Sequence, residues 1–184
     1  MAAATFTAGA AFLASGCAYQ LGSPDRSIPG GYQQLSIPMF RNLTQETGIE
    51  VSFTNALIRE FERSKTARVV DPPRAEAEVN GVITEISYVA SGDVSSPSMP
   101  LGAVLRAGYS ITVKVTVVLR RRSDQVVLWT GDFQGEHGYI APQVTRAGIN
   151  TVNPLYNLSA RRQYIDLIAA EAMAEAHNRM SENF

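Results

Sequence analysis

Cysteine is almost absent from this chain of 184 residues, in which Cys17 stands alone, so no disulfide can form within it. Histidine is nearly as scarce, since only His137 and His177 occur. Charge of one sign does not dominate either, because 16 Lys and Arg face 17 Asp and Glu for a net charge of −1. That balance excludes a strongly basic nucleic-acid-binding protein. The length fits one domain of roughly 100 to 200 residues, with a core that needs no disulfide staple.

Charged side chains are also missing from the start of the chain, where the first one is Asp25. Residues 1–16 are small and apolar, and they fall short of the about 20 residues that a transmembrane helix needs. Their composition is typical of the apolar region of a secretory signal peptide. Leu13-Ala14-Ser15-Gly16-Cys17 resembles the bacterial lipobox, in which small residues precede the cysteine that carries the lipid. The alternative is a buried structural cysteine, a common state of free thiols.

These features predict a division of the chain into three parts. Residues 1–16 are expected to be a lipoprotein signal peptide. Residues 17–34 are expected to be the lipidated N-terminus and a tether rich in proline and glycine. Residues 35–184 are then expected to form one α+β domain.

Periodicity predicts the elements of that domain. Residues 44–61 and 159–180 place apolar side chains at helical spacing, and Thr44 or Thr47 is expected to cap the first helix. Residues 109–119 alternate between apolar and mostly polar side chains, as in a strand with one buried face. Shorter strands are expected at residues 35–40, 68–70, 77–89 and 126–133. Two amphipathic helices on one face of a four- or five-stranded, mostly antiparallel sheet would form a two-layer α+β sandwich.

Local signals refine this outline. Pro38 indicates a strand end or edge because proline lacks an N–H donor, and a β-bulge is expected near Gly81. Trp129 and Phe133 are expected on the core face of the last strand. Residues 90–107 and 134–158 show no period and are predicted to be long loops, used either for binding or simply mobile.

The sequence contains no phosphate-binding loop, no Cys-x-x-Cys pair and no His-Glu-x-x-His pair. His177 lies near a predicted helix C-terminus, where a cation is favoured. His137 is flanked by Glu136 but has no second metal ligand or nucleophile nearby in sequence. We therefore predict no metal, no cofactor and no enzymatic activity. The alternative is an envelope hydrolase that uses His137, Glu136 and Asp132.

One cluster of like charge stands out at the predicted hairpin tip. Arg120, Arg121 and Arg122 follow one another directly, and guanidinium groups bind phosphates in a bidentate manner. The cluster is therefore a candidate contact for phosphate groups, for example those of an anionic glycolipid. A solvated turn that discourages edge-to-edge aggregation is the alternative.

Several stretches together resemble the LptE family of lipopolysaccharide-assembly lipoproteins, also called RlpB. Residues 17–22 are similar to the family's Cys-Gly-Tyr-x-Leu-x-Gly opening, with Ala18 in place of the first glycine and one residue fewer before Gly22. Residues 37–44 are similar to its first strand and Phe-x-Asn-x-Thr turn, and residues 48–61 to its first helix. The similarity continues through four later stretches, namely residues 79–83, 109–119, 127–129 and the closing helix.

The resemblance implies a periplasm-facing lipoprotein of the cell outer membrane, anchored through Cys17. It further implies an LptD-like β-barrel as partner, which the chain would plug and stabilise while lipopolysaccharide is inserted into the outer leaflet. On this resemblance, Arg120, Arg121 and Arg122 are candidate contacts for lipopolysaccharide, and neither a cofactor nor a nucleic acid is expected. The alternative function is a regulatory or pilot lipoprotein for another envelope machine, in secretion or peptidoglycan synthesis.

Overall fold

The computed structural model describes residues 26–94, 105–140 and 154–182, and this part of the chain forms a mixed sheet and two long helices. The helices are α1 (Ile49–Ser64) and α2 (Pro154–Ser181). The strands are β1 (Gln34–Ser36), β2 (Arg41–Asn42), β3 (Arg68–Val69), β4 (Ala77–Val94), β5 (Leu105–Arg121) and β6 (Val127–Ile140). The α+β class is confirmed, but the described residues contribute six strands rather than four or five.

The sheet combines a long antiparallel meander with a short parallel side. Its strand order is β3-β1-β4-β5-β6, and β2 also pairs with β4. The pairings of β4 with β5 and of β5 with β6 are antiparallel, whereas β1, β2 and β3 pair in parallel. The sheet is therefore mixed, and the expected antiparallel character holds for the meander only.

Pro38 separates β1 from β2, which lie one after the other along β4. Proline has no N–H for the ladder, so the pairing is interrupted there and resumes at Arg41. The expected strand end at Pro38 is confirmed.

The meander strands are longer than their sequence indicated. β4 continues to Val94, β5 begins at Leu105 and β6 continues to Ile140, so the predicted loops at 90–107 and 134–158 are wrong at their margins. Backbone pairing across the ladder, for example of Ser91 with Gly108, overrides the low strand propensity of serine and glycine. The helix α2 likewise begins at Pro154, before the expected residue 159.

The bulge of β4 lies at a different residue from the one predicted. The register with β5 shifts between Ile83 and Glu85, not at Gly81. Gly81 has another reason to be glycine: an added Cβ would lie 2.1 Å from the ring of buried Phe40. Close approach of that ring, rather than an irregular backbone, explains this glycine.

The start of α1 also differs from the expected cap. Gly48 precedes the helix with a φ of 90°, and no side chain caps the helix there. The Glu50 carboxylate instead accepts a hydrogen bond from the Gly48 N–H at 3.1 Å. Thr44 is bonded to Asn42, whose Oδ1 accepts from the Thr44 N–H at 2.9 Å. Because Thr44 is engaged in that turn, the prediction of a threonine cap is wrong.

Both helices bury an apolar stripe against one face of the sheet. The stripe predicted for α1 is buried at Ile49, Phe53, Ala56, Leu57 and Phe61. The stripe of α2 is buried at Ile165, Ile168, Ala169, Ala172, Ala176 and Met180. The sheet contributes alternate residues of its central strands, among them Val79, Ile83, Ile111, Val113, Val115, Val117, Leu119 and Phe133. The periodicity of the sequence therefore identifies the covered face correctly.

The chain enters this core earlier than its composition suggests. Ile28 lies in the segment expected to be a tether, yet it is 1% exposed and belongs to the same core cluster. Next to it, Arg26 donates a hydrogen bond to the Asn178 side chain of α2 at 3.3 Å. The chain is therefore packed against the domain from about Arg26 onward.

Candidate functional site

The second face of the meander is an open, polar surface, which we call the open face. Its side chains alternate with those of the core and stay partly or fully exposed. They come from three neighbouring strands and include Asn80, Val82, Glu85, Ser87, Thr112, Lys114, Thr116, Thr130, Asp132, Gln134 and Glu136. The breadth of this surface makes it a candidate for contact with a large polar partner.

Cross-strand bonds order the open face. The Thr116 hydroxyl donates to Asp132 at 2.6 Å, and the Ser110 hydroxyl donates to Glu136 at 2.6 Å. The Lys114 ammonium lies 2.8 Å from the Glu85 carboxylate. Pairs of this kind stabilise neighbouring strands modestly and hold their side chains in place. Contacts within the chain itself therefore hold these side chains of the open face in place.

The three consecutive arginines at the hairpin contact four different residues. Arg120 donates to the Gln125 carbonyl at 3.4 Å. Arg121 donates to the Tyr32 hydroxyl and to Asp124, each at 2.9 Å. Arg122 lies 3.3 Å from the Glu78 carboxylate. Adjacent strand residues point to opposite faces, so the run does not form a single cluster of free guanidinium groups.

Cys17, the predicted lipid attachment site, lies outside the described residues. Its modification therefore remains a prediction from sequence. In the part of the chain that the structure describes, neither helix carries an apolar stretch that would span a bilayer.

The residues of the hydrolase alternative are divided between two faces of β6. Asp132 and Glu136 lie on the open face, bonded to Thr116 and Ser110. His137 lies on the covered face, with its Nε2 3.1 Å from the Glu171 carboxylate. A base and a nucleophile must be within hydrogen-bonding reach of each other, and the sheet itself separates these groups. Among residues 26–94, 105–140 and 154–182, no three His, Cys, Asp or Glu side chains converge as metal ligands.

His177 is buried rather than exposed at a helix end. Its Nε2 lies 2.8 Å from both the Ser64 and Thr66 hydroxyls, and its ring packs edge-on against Phe61 at a centroid distance of 4.8 Å. Burial lowers the pKa of His177 below its ordinary value. The expectation of a favourable cation at this position is therefore wrong, because desolvation disfavours the charged ring.

The Ser64 and His177 pair does not make a hydrolase site. Ser64 is the last residue of α1, where the helix carbonyl groups present partial negative charge. An oxyanion intermediate needs hydrogen-bond donors at that position, not acceptors. The pair instead joins the C-terminal ends of the two helices.

A cluster of tyrosines at the other end of the sheet was not found from the sequence. Tyr109 of β5 stacks on Tyr139 of β6 at a centroid distance of 5.5 Å, and Tyr139 stacks on Tyr164 of α2 at 5.9 Å. The Tyr164 ring in turn lies 6.1 Å from the His137 ring. We call the four residues Tyr88, Tyr109, Tyr139 and Tyr164 the tyrosine cluster. It fastens the N-terminal half of α2 to the sheet.

An ion pair completes the tyrosine cluster. The Arg161 guanidinium lies 5.1 Å from the centre of the Tyr88 ring and donates to Glu46 at 3.1 Å. Tyr88 donates its own hydroxyl to Glu46 at 2.8 Å, and burial together with this bond raises its pKa. Tyr88, Tyr109 and Tyr139 lie on the covered face of three neighbouring strands. The sequence does not show that they share this face until the register of the strands is known.

The sequence model of the LptE family, described as lipopolysaccharide-assembly, matches residues 32–182. That match spans both helices and all strands described above. No curated protein is matched significantly by the sequence.

Solved structures of bacterial proteins are similar to this chain at low sequence identity. Protein XCC0632 from Xanthomonas campestris is 11% identical, with a TM-score of 0.54 over 86% of this chain and 88% of that one. A PelC dodecamer from Paraburkholderia phytofirmans gives 14% and 0.49, over 87% and 96% of the two chains. The rare lipoprotein B of Shewanella oneidensis gives 16% and 0.36, over 80% and 90%. At such identities the similarity of XCC0632 shows the fold alone.

Proposed function

Because the chain belongs to the LptE lipopolysaccharide-assembly family, we propose that it plugs and stabilises an LptD-like β-barrel in the outer membrane. In this function it faces the periplasm and is anchored by lipid on Cys17. The barrel that it stabilises inserts lipopolysaccharide into the outer leaflet.

The open face is the observation that supports this proposal. The interior of a large membrane barrel is polar, and a plug inside it needs a matching polar surface. The open face offers threonine, serine, amide and carboxylate groups from β4, β5 and β6. Lys114 and Glu85 are already paired at 2.8 Å, and the Asp132 and Glu136 carboxylates each accept a hydroxyl hydrogen bond, so these charged groups have partners before docking.

The proposed role is structural and not catalytic. The family assembles lipopolysaccharide without enzymatic chemistry, and the sheet separates His137 from Asp132 and Glu136 of the same strand. Lipopolysaccharide contact at the hairpin remains part of the proposal. Arg120, which bonds to a carbonyl and not to a carboxylate, is the member of the run best placed to exchange its partner for a phosphate.

A bulky substitution on the open face tests the plug. Gln134 is exposed on β6, and Gln134→Trp is expected to reduce the amount of β-barrel that co-purifies with the tagged chain from outer membranes. Tryptophan adds volume where a docked wall would lie, while leaving the core untouched. Quantitative mass spectrometry of the purified complex measures the partner.

The matched control is Glu62→Trp, at an exposed position of α1 on the helical side. It adds the same side chain away from the open face and is expected to retain the barrel. Equal recovery of the barrel with both variants would contradict docking through the open face. Recovery of a different envelope machine in place of a barrel would overturn the proposed function itself.

A further inference from the structure

A cleft opens at the parallel side of the sheet, well away from the tyrosine cluster. It measures about 550 Å3 and is lined by Ser36, Ile37, Pro38 and the segment from Arg68 to Arg74. It lies at the point where β1 and β3 end. Because two strand ends and a following turn line the cleft, both main-chain and side-chain groups are present there.

The topology of the chain explains why a cleft forms there. β1 lies between β3 and β4 and is parallel to both. The chain reaches β3 through α1 on one side of β1 and then crosses to β4 on the other. The carboxyl ends of the parallel strands β1 and β3 therefore meet at the same edge, and ligands of open sheets bind outside the carboxyl ends of strands.

Ser36, one of the residues that line the cleft, carries a buried hydroxyl without a partner. Ser36 is 1% exposed, and its Oγ makes no hydrogen bond. A buried polar group that stays unpaired costs about 1–3 kcal/mol, and such groups in folded proteins usually have a bound partner to account for them. The hydroxyl is therefore a donor for which the protein supplies no acceptor.

A guanidinium group lies on the same side of the sheet as that hydroxyl. Gln34 pairs with Arg68 and Leu35 pairs with Val69. Leu35 is fully buried on the covered face, so the alternation of strands directs Arg68 to the opposite face, which Ser36 shares. Arg68 is exposed, and its side chain has no acidic partner in the part of the chain that the structure describes.

The other charged groups around the cleft are already engaged. Arg74 lies 3.1 Å from Asp71, a pair whose side chains are 73% and 76% exposed. Exposed pairs of this kind contribute little, so Arg74 is free to exchange partners. Glu76 accepts from the Gln33 N–H at 3.0 Å, and Glu78 pairs with Arg122 at 3.3 Å. Glu78 is thus paired with a cation, whereas Glu76 keeps its charge and is bonded to main-chain N–H groups. Arg68 is the cation of the cleft that has no acidic partner within the described residues.

We propose that this cleft binds an oxyanion, a phosphoryl or carboxylate group of a small ligand. Arg68 binds it in bidentate fashion, Arg74 contributes the second cation, and the Ser36 hydroxyl donates the hydrogen bond that it otherwise lacks. A guanidinium matches the geometry of both groups. The site does not depend on the barrel.

Titration of the full chain with inorganic phosphate, followed by amide resonances in NMR spectra, tests the proposal. Saturable shifts are expected at residues 33–38 and 68–74. Arg68→Gln removes a charge-assisted contact and is expected to weaken binding roughly tenfold or more. Ser36→Ala is expected to weaken binding without loss of stability, because it removes an unpaired buried hydroxyl.

Arg59→Gln is the matched control, since Arg59 is an exposed arginine of α1 that does not line the cleft. It is expected to bind phosphate as the parent chain does. Equal weakening by Arg59→Gln would mean general attraction to the surface and would overturn the site. Unchanged binding in Ser36→Ala, or no saturable shift with phosphate or acetate, would overturn it as well.

Two further titrations assign the source of the anion. Acetate in place of phosphate distinguishes a carboxylate ligand from a phosphoryl one. A short-chain phosphatidic acid distinguishes a lipid headgroup from a free phosphate. If the ligand is a lipid headgroup, phosphatidic acid is expected to bind more tightly than inorganic phosphate. Gln134→Trp is expected to leave all these titrations unchanged, so failure of the cleft and failure of the barrel contact are distinguishable.

Discussion

Burial of His177 couples the packing of the two helices to pH. Its ring is enclosed by Phe61, Ser64 and Thr66 at the ends of α1 and α2. Desolvation lowers its pKa in the folded chain, and the nearby Arg26 and Arg63 act in the same direction, whereas Glu60 and the Asn178 side chain oppose it. The neutral ring is therefore the form that the fold accommodates.

This burial predicts a loss of stability on mild acidification. In the unfolded chain the histidine has its ordinary pKa of 6.5, so below that pH the unfolded state binds the proton more readily than the folded state. The free energy of unfolding should fall by at most about 1.4 kcal/mol per pH unit until the folded pKa is reached. Urea unfolding between pH 7.5 and 5.5 measures the slope.

His177→Gln supplies the control for this slope, because it keeps a hydrogen-bonding side chain but does not titrate. Its stability is expected to change less over the same pH interval. An identical slope in the variant and the parent chain would show that other groups cause the pH dependence.

Gly81 illustrates a constraint of packing rather than of backbone conformation. Gly81→Ala would place a Cβ 2.1 Å from the ring of Phe40, which is 3% exposed and cannot move without disturbing the core. Overpacking of this kind should lower the free energy of unfolding by about 1–3 kcal/mol. Chemical denaturation measures the difference.

Gly138→Ala is a matched substitution in the same sheet. Its added Cβ would lie 3.9 Å from the Tyr109 carbonyl oxygen, an ordinary contact distance. The change in stability should stay within about 0.5 kcal/mol. If both variants lost the same stability, loss of glycine itself, and not the Phe40 ring, would be responsible.

Among the elements, α2 is held by two different kinds of contact. Its C-terminal half packs through aliphatic residues such as Ile168 and Met173, whereas its N-terminal half is fastened by the tyrosine cluster. The Arg161 side chain is 31% exposed and that of Glu46 is 18% exposed, so their ion pair is only partly screened by solvent. The N-terminal half is therefore the part of α2 that depends on polar interactions.

Arg161→Gln is expected to loosen this half of the helix selectively. The substitution leaves Glu46 without its cation, and about 1–2 kcal/mol of local stability should be lost. Hydrogen exchange should accelerate at residues 158–164 and stay unchanged at residues 172–180. Arg162→Gln, which alters the exposed neighbouring arginine, should leave both regions protected, and equal acceleration in the two variants would contradict a specific role for Arg161.

The sequence predicts elements with strong periodicity and misses contacts that depend on register. The stripes of α1 and α2 and the strand around residues 109–119 follow from the spacing of apolar side chains alone. The parallel pairing of β1 with β3 and β4 does not, because each ladder has only two pairs of residues. Arg161 and Glu46 are 115 positions apart, and no local pattern indicates that they meet.

The candidate sites are likewise predicted from the sequence only in part. The composition of the hairpin points to Arg120, Arg121 and Arg122, but their partners Gln125, Tyr32, Asp124 and Glu78 are set by the fold. The cleft beside Ser36 has no signal in sequence at all, since it lies beyond the ends of β1 and β3, whose pairing is set by the fold. Short polar motifs thus locate charge, while the topology decides which charges remain unpaired.

For the protein as a membrane-associated unit, the predicted lipid anchor has a direct test. Cys17→Ser removes the thiol that would carry the lipid, and the chain is expected to shift from the membrane fraction to the soluble periplasmic fraction. Mass spectrometry of the N-terminus of the parent chain should show cleavage before Cys17 and added acyl mass. An unmodified Cys17 in a chain that still sediments with membranes would contradict anchoring through this residue.

The burial of Ile28 determines how a mechanical load on the N-terminus would enter the domain. A pull along the chain would first meet the Arg26 bond to Asn178 and then the side chain of Ile28, which is wedged in the core beside the end of α2. The open face contributes no residue to this path. Tension from thermal motion relative to the membrane would therefore be borne by hydrophobic packing, and the surface proposed to meet the barrel would remain unstrained.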